Sequence, residues 1–546
     1  MLTGWRDIWR WAVLLPALLL ALPVLVIFAS LLTPQTDIWQ HLRQTVLADY
    51  VLNSMVLAGG TGLGALFIGT GTAWLVSQYQ FVGRRYLEWL LLLPLAMPAY
   101  IIAYTYTGML DFAGPLQSLL RELTGWRYGD YWFPEIRSLG GAVLMLTLVL
   151  YPYVYMLART AFREQSLSLL EASRTLGLTP RQHFWQVALP LARPAILTGT
   201  ALAMMEAFAD YGTVQYFGVA TFTTGIFRTW FGMGSQLAAA QLAAMLTGFV
   251  LMLLLLERWS RRKVRYYHQG QRSLAGLRRQ LTLPKQLLLL VVCLLPLLLG
   301  FVVPALQLCH WALSNYQLTL NSQFASLVWN SFTLAALAAL IAVVLALLFA
   351  YGKRLRRDVF VQAPVRLAAL GYAVPGTVIA IGVMLPLAYL DGQIDMLAER
   401  WFGVRTGLIF SGTLFALLLA YSVRFLAVSL HSVEAGLERI KPSMDNAARS
   451  LGCSPLQVLQ KVHVPLLRGS VLTALLLVFV DVLKELPATL LLRPFNFNTL
   501  AVRTYELASD ERLADAALPA LAIVLVGLLP VILLARSVET SVKGQS

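Results

Sequence analysis

Long apolar runs alternate with short polar segments along this 546-residue chain. The runs near 11–32, 236–256, 286–308 and 516–535 reach the roughly 20 residues a helix needs to cross a bilayer. Read throughout, the pattern predicts twelve spans, at about 11–32, 51–77, 88–108, 140–158, 194–212, 236–257, 286–308, 327–351, 365–390, 406–430, 469–486 and 516–535. Residues 258–285 break the series at its middle with Arg258, Arg261, Arg262, Lys263, Arg265, Arg272, Arg278, Arg279 and Lys285. This stretch reads as a topology-fixing linker between a first unit, 1–257, and a second, 286–546. The opening apolar run is longer than that of a leader peptide and lacks a small-x-small cleavage site, so it counts as the first span.

One polar segment occurs twice. Residues 172–193 and 447–468 share Ala172/Ala447, Arg174/Arg449, Leu176/Leu451, Gly177/Gly452, Pro180/Pro455, Val187/Val462, Pro190/Pro465 and Arg193/Arg468 at a constant offset of 275. Other matches extend the repeat. Asn53-Ser54 and Asn330-Ser331 open the second span of each half, and Pro98 and Pro375 sit in the third. After the islands come Phe222-Thr-Thr224 with Phe497-Asn-Thr499, and Arg228-Thr-Trp with Arg503-Thr-Tyr. An even number of spans separates matched points, so the halves have parallel topology about an axis along the membrane normal. The predicted fold is an all-α polytopic membrane protein of about twelve spans in two pseudo-twofold-related six-helix halves.

Each island carries its own local code. Helix formers run up to Gly177 and Gly452, and glycine is the usual residue just past a helix end. Thr179-Pro180 and Ser454-Pro455 then supply an N-cap and a first-turn proline for a second helix. The prediction is helix, tight glycine turn, helix, lying near the membrane surface.

Composition agrees with a membrane chain. It is 58% hydrophobic and 13% charged, against about 25% charged in soluble domains. The net charge of +15 invites a nucleic-acid reading, but its placement opposes one. With the N-terminus in the cytoplasm, inner segments hold about 30 of the 42 Lys and Arg and outer loops about 10. Both islands, both termini and the linker then lie in the cytoplasm, and no nucleic acid is expected. Gly60-x-Gly62-x-x-Ala65 lies inside an apolar span, where small residues serve close helix packing rather than a dinucleotide. The six histidines and three cysteines are scattered, without metal spacing, disulfide framework or a nucleophile arrangement. No G-x-x-x-x-G-K-[ST] phosphate loop occurs, since Gly352-Lys353 is followed by Arg354. The chain is therefore expected to be neither an enzyme nor a holder of a cofactor or metal.

Glu171-Ala172-Ser173 followed by Gly177 resembles the EAA loop of permease subunits of bacterial binding-protein-dependent ABC importers. Asn446-Ala447-Ala448 followed by Gly452 is its second copy, with Asn446 in place of Glu171 and Asp445 before it. The resemblance implies a type I importer permease in the bacterial inner membrane, with both loops docked on a homodimeric ATP-binding subunit. It makes Glu171, Ala172, Arg174, Gly177, Asn446, Ala447, Arg449 and Gly452 the coupling residues. It also implies a periplasmic substrate-binding protein outside. The run from Ala209 to Ile226 resembles the ferric iron permeases, which are also fused twelve-span chains. Fused thiamine permeases are the main alternative, with polyamine and phosphonate permeases more distant. An ion-coupled secondary transporter also uses repeats and buried acids, but has no need for two helix-Gly-helix islands.

Buried acids mark a candidate pathway, since a charge at a helix centre costs about 2.5–3.5 kcal/mol on insertion scales. Glu206 and Asp210 follow the first island, and Asp481 and Glu485 follow the second at the same offset. The i,i+4 spacing predicts one shared helix face in each pair. Such a lining suits a hard cation that prefers oxygen. The plainer reading is structural, with Lys484 neutralising Asp481 or Glu485. Outside, Trp126, Tyr128, Tyr131, Trp132 and Phe133 fit either a protein interface or an interfacial aromatic belt.

Overall fold

Helices long and apolar enough to span a bilayer dominate the computed structural model, which describes residues 2–127, 129–165, 173, 175–261, 279–356 and 358–543. Ten qualify alone, and two bent pairs raise the number to as many as twelve among the described residues. These stretches overlap the twelve predicted spans, but those expected at 365–390 and 406–430 lie further along the chain, at Gly376–Phe402 and Leu414–Glu438. The linker residues 262–278 lie outside the described residues; beside them, Tyr79–Gln80 pairs in parallel with Arg279–Gln280.

The third spans are not single rods, as the hydropathy pattern had implied. In the first half, Arg84–Ala96 and Ala99–Thr124 meet at 91°. In the second, the short helices Val359–Ala369 and Leu370–Ala373 stop before Gly376–Phe402 begins. Proline is the cause. Met97 and Val374 precede Pro98 and Pro375 and are extended, because a following proline ring excludes the helical conformation. Each proline then caps the next helix, where its missing N–H costs nothing.

Glycines set the close helix contacts. A Cβ on Gly69 would come 2.8 Å from both Tyr151 O and Tyr155 N. One on Gly199 would come 2.7 Å from Val154 Cα. Helices Leu47–Gln78, Leu139–Glu164 and Leu189–Ala209 pack together through these bare positions. Gly60 and Gly62 belong to the same helix and face Val143 and Met204.

Packing divides the chain into two compact units that do not follow sequence order. One comprises Met1–Leu42, Gly225–Thr247 and Leu320–Arg503. Within it the first span, Leu2–Ala29, lies on Val359–Ala369 and Gly376–Phe402. Gly382 meets the Pro23 carbonyl there, and Gly352 meets Val13. The other comprises Arg43–Thr224, Gly248–Thr319 and Thr504–Ser546. Within it, Leu283–Leu297 lies against Leu47–Gln78 and Arg84–Leu90, and Val303–Thr319 against Leu513–Lys543. Tyr106 donates its hydroxyl to Leu299 O at 2.7 Å, and Gly300 admits the Leu148 carbonyl. The segments 1–257 and 286–546 are thus repeats in sequence, while each packing unit takes its opening span from the other repeat.

Candidate functional site

Where both are described, the two islands fold alike. Helix Pro442–Ser450 ends at Gly452, whose φ is +84°. Cys453 N donates to Ala448 O at 3.1 Å and Gly452 N to Arg449 O at 3.0 Å, the paired bonds of a Schellman turn. In the first island Gly177 has φ +75°, and Leu178 N donates to Ser173 O at 3.0 Å. The next helix is capped reciprocally in both. Ser454 and Gln457 exchange bonds of 3.4 and 2.8 Å, and Thr179 and Gln182 exchange bonds of 3.3 and 2.9 Å. The Thr/Ser-x-x-Gln spacing was present in the sequence as a signal for this capping box.

Both glycine turns are bare, with no atom within 4 Å of a Cβ built on either. The leucine before each glycine projects outward: Leu176 is 78% and Leu451 84% exposed. Asn446, Ala447 and Arg449 are exposed beside the second turn, while Ala448 and Asp445 face inward. Glu171, Ala172 and Arg174 lie outside the described residues.

Past the caps, matched π-helical turns at Phe184–Ala188 and Leu459–His463 precede Pro190 and Pro465. The wider turn relieves the clash between each proline ring and the carbonyl four residues back. Beyond it the halves diverge. Arg181–Ala209 runs on as one helix, whereas Pro455–Leu466 and Arg468–Leu483 meet at 78°. The second helix of the first island is therefore the root of the following span, whereas that of the second island stands as a separate helix at a sharp angle to the span after it.

Each island is fastened to the spans beneath it, by different chemistry. Under the second, Arg354 binds both Asp445 oxygens at 2.7 and 3.2 Å and donates to Leu437 O and Ile440 O at 2.7 and 2.8 Å. Asp445 also lies 3.0 Å from Nε2 of the fully buried His463. Tyr351 donates to Pro455 O at 2.8 Å, with its ring against His463 and Trp9. Asp445 is thus turned into the protein, unavailable as an outward acid replacing Glu171. Near the first island Trp74 packs on Phe162, His183 and Phe184. Glu88 gathers Arg84, Arg159 and Arg163 close by.

The candidate pathway acids divide into two kinds. The helix ends at Ala209, so Asp210 leaves the face it was expected to share with Glu206. Asp210 accepts from Val214 N at 3.1 Å and Thr213 Oγ1 at 3.0 Å, capping the short helix Gly212–Tyr216. Glu485 likewise lies past its helix and accepts from Ala488 N and Thr489 N, both at 3.1 Å, capping Pro487–Leu492. Arg424 lies 3.9 Å from Glu485. Glu206 and Asp481 stay within their helices and are half-buried, Asp481 paired with Lys484 at 3.0 Å. Among the described residues no three metal-ligating side chains converge.

The Asn-Ser pairs close the far ends of these capped loops. Asn53 donates to Ala220 O at 2.8 Å, and Ser54 accepts from Phe222 N at 3.1 Å. Asn330 donates to Asn498 O at 3.2 Å, and Ser331 accepts from Leu500 N at 2.7 Å. Each fifth span thus breaks into a loop clasped by an acid at its start and by Asn-Ser at its end. These bonds equate Phe222 with Leu500, not with Phe497, so the later sequence matches are displaced by three residues in space. The sequence displayed the Asn-Ser repeat but not what it grips.

Up to twelve candidate spans among the described residues, in two repeats that each carry one polar glycine-turn loop and one clasped break, define a polytopic membrane protein. Residues 65–266 and 342–544 both match the family described as binding-protein-dependent transport system inner membrane component. The chain belongs to that family. It is 27% identical over 535 residues to the Fe(3+)-transport system permease protein FbpB 2 of Haemophilus influenzae, covering 96% of this chain and 98% of the relative. It is 24% identical to the ferric transport system permease protein FbpB of Actinobacillus pleuropneumoniae, over 83% of this chain and 65% of the relative. The molybdenum transport system permease protein ModB of Escherichia coli K12 is 25% identical over 40% of this chain and 92% of its own length.

Proposed function

We propose that this chain is the membrane-spanning subunit of an ATP-driven importer that moves ferric iron, delivered by a periplasmic binding protein, into the cytoplasm. The importer reading is carried by the matched islands, two identical turns presenting Leu176-Gly177 and Leu451-Gly452 without cover. A homodimeric ATP-binding subunit offers two equivalent clefts for two such turns. Arg174, Ala172 and Glu171 on one side, and Arg449, Ala447 and Asn446 on the other, complete the contacts. The distribution of Lys and Arg supports placing the islands and both termini in the cytoplasm. The iron cargo rests on the relative that matches this chain end to end.

The mechanism follows from rigidity. When the ATP-binding dimer closes, the islands move with it, because Arg354, Asp445 and the capping boxes leave them little freedom. Arg181–Ala209 carries that motion about 43 Å to the first clasped loop, at 1.5 Å per residue. The loops tilt as units and open the path alternately to either side. Glu206 and Asp481 line it, while Asp210 and Glu485 hold the loops in shape.

The test is uptake into proteoliposomes holding this chain with its ATP-binding subunit, supplied with iron-loaded binding protein. Radioactive iron should accumulate only with ATP inside the site-accessible compartment. Accumulation without ATP overturns the importer reading; ATP-dependent uptake of thiamine but not iron overturns the cargo alone.

A further inference from the structure

Near the first island, the third and fourth spans bring together charges that do not balance. Arg84 opens the short helix Arg84–Leu90, and Glu88 lies one turn further on. Helix Leu139–Glu164 supplies Arg159 and Arg163, four residues apart and so on one face. Glu88 accepts from Arg84 at 3.3 Å, from Arg163 at 2.7 Å and from Arg159. Tyr155 donates to Glu88 O at 2.8 Å and holds the two helices in register. Three guanidinium charges thus meet one carboxylate, leaving a surplus of two. Among the described residues no further acid pairs with the three. Arg84 and Arg159 are only 9% and 5% exposed, and Nε of each is buried without a hydrogen-bond partner.

The second repeat has no such surplus. Helices Leu139–Glu164 and Leu414–Glu438 correspond at the offset of 275, which sets Arg159 and Arg163 against Glu434 and Glu438. There Glu434 pairs with Lys353, and Arg354 with Asp445, so each cation has its own acid. Cations that only fix topology can stay in water at the membrane face. Two of these three are buried instead, where a charge without a partner is strongly destabilising.

We propose that Arg84, Arg159 and Arg163 hold a dianion of the phosphate class, on the cytoplasmic side if the orientation proposed above is right. A phosphate monoester or inorganic phosphate carries about two negative charges near neutral pH, which matches the surplus. A single carboxylate would cancel only half of it. The planar fork of guanidinium fits phosphate oxygens in pairs, and three such forks converge here. Arg163 and Glu88 form the open edge, with side chains 22% and 17% exposed. Free phosphate and the head of a phosphomonoester lipid present the same chemistry to this edge. Either would tie Arg84–Leu90 to the end of the fourth span. Gln165, next along the chain, donates to Ala188 O at 2.9 Å in the π-helical turn past the first island. The bound anion therefore stiffens the root of one island and not of the other.

The experiment uses the full chain in phosphatidylcholine nanodiscs, titrated with radiolabelled inorganic phosphate while chloride keeps the ionic strength constant. A parallel set of nanodiscs carries a small fraction of spin-labelled phosphatidic acid. The parent chain should saturate as a single site in one of the two. Arg163→Gln, at the open edge, should weaken that binding by about tenfold or more. Arg159→Gln should do the same wherever it elutes as the parent does. Arg366→Gln removes an exposed cation from the other repeat and should change nothing. Saturation by phosphate in plain phosphatidylcholine identifies the free anion; saturation by phosphatidic acid alone identifies the lipid head. Saturation by neither, or equal affinity in Arg163→Gln and the parent, overturns the proposal. So does protection of Arg163 from an arginine-modifying reagent only when the ATP-binding subunit is added, which assigns the surplus to acidic side chains of that partner. No reading involves iron, ATP or transport, so failure here leaves the importer reading standing.

Discussion

Gly177 and Gly452 occupy backbone conformations, φ +75° and +84°, that cost about 1 kcal/mol for most other residues. The open space around them shows that packing within the chain does not require glycine there. The requirement comes from the turn itself, whose positive φ favours glycine. Gly177→Asp or Gly452→Asp should leave the chain inserted and at normal abundance, but separate ATP hydrolysis from uptake. Normal uptake by both variants, in reconstituted vesicles, would remove the islands from the coupling path. Among the acids, Glu206→Gln combined with Asp481→Asn should slow iron entry while leaving binding of the ATP-binding subunit intact. Unchanged transport would make both acids structural. The residue types of this site were legible in the sequence because a repeat at fixed offset isolates them. The inward turn of Asp445 was not, since its partner Arg354 lies 91 residues away on another helix.

At the scale of elements, helix ends were legible and helix breaks were not. Glycine, threonine and serine signals placed the island turns and caps where they occur, because capping is local chemistry. The breaks at Pro98, Pro375, Asp210 and Glu485 were lost inside long apolar runs, where hydropathy records depth but not continuity. The clasps that hold these breaks suggest direct tests. Ser331→Ala removes the bond from Leu500 N to Ser331 Oγ in a buried site, a cost of about 0.5–1.5 kcal/mol. It should raise passive leak through the reconstituted permease, and Ser54→Ala should do the same through the other loop. Equal leak to the parent chain would reduce the clasp to local structure. Asp445→Asn removes the charge opposite Arg354, which keeps its bonds to Leu437 O and Ile440 O, and should cost about 1.5–3 kcal/mol. Hydrogen exchange of amides between 441 and 458 should accelerate, with little change elsewhere.

At the scale of the molecule, the linear repeat and the packing units disagree, and no sequence pattern announced it. Apolar spans look alike to hydropathy, so which bundle a span joins is decided by shape, as where Gly382 receives Pro23 and Gly300 receives Leu148. Residues 1–257 and 286–546, made as two separate polypeptides, should copurify through detergent extraction, each contributing its first span to the other's bundle. Fragments that elute apart would contradict the exchange.

The same exchange constrains how the protein is made. When the ribosome has finished residue 257, spans two to five of the first repeat still lack the wall that residues 283–319 will provide. The nascent chain must therefore linger beside the insertion machinery as an unfinished bundle, and assembly proceeds in one late step rather than half by half.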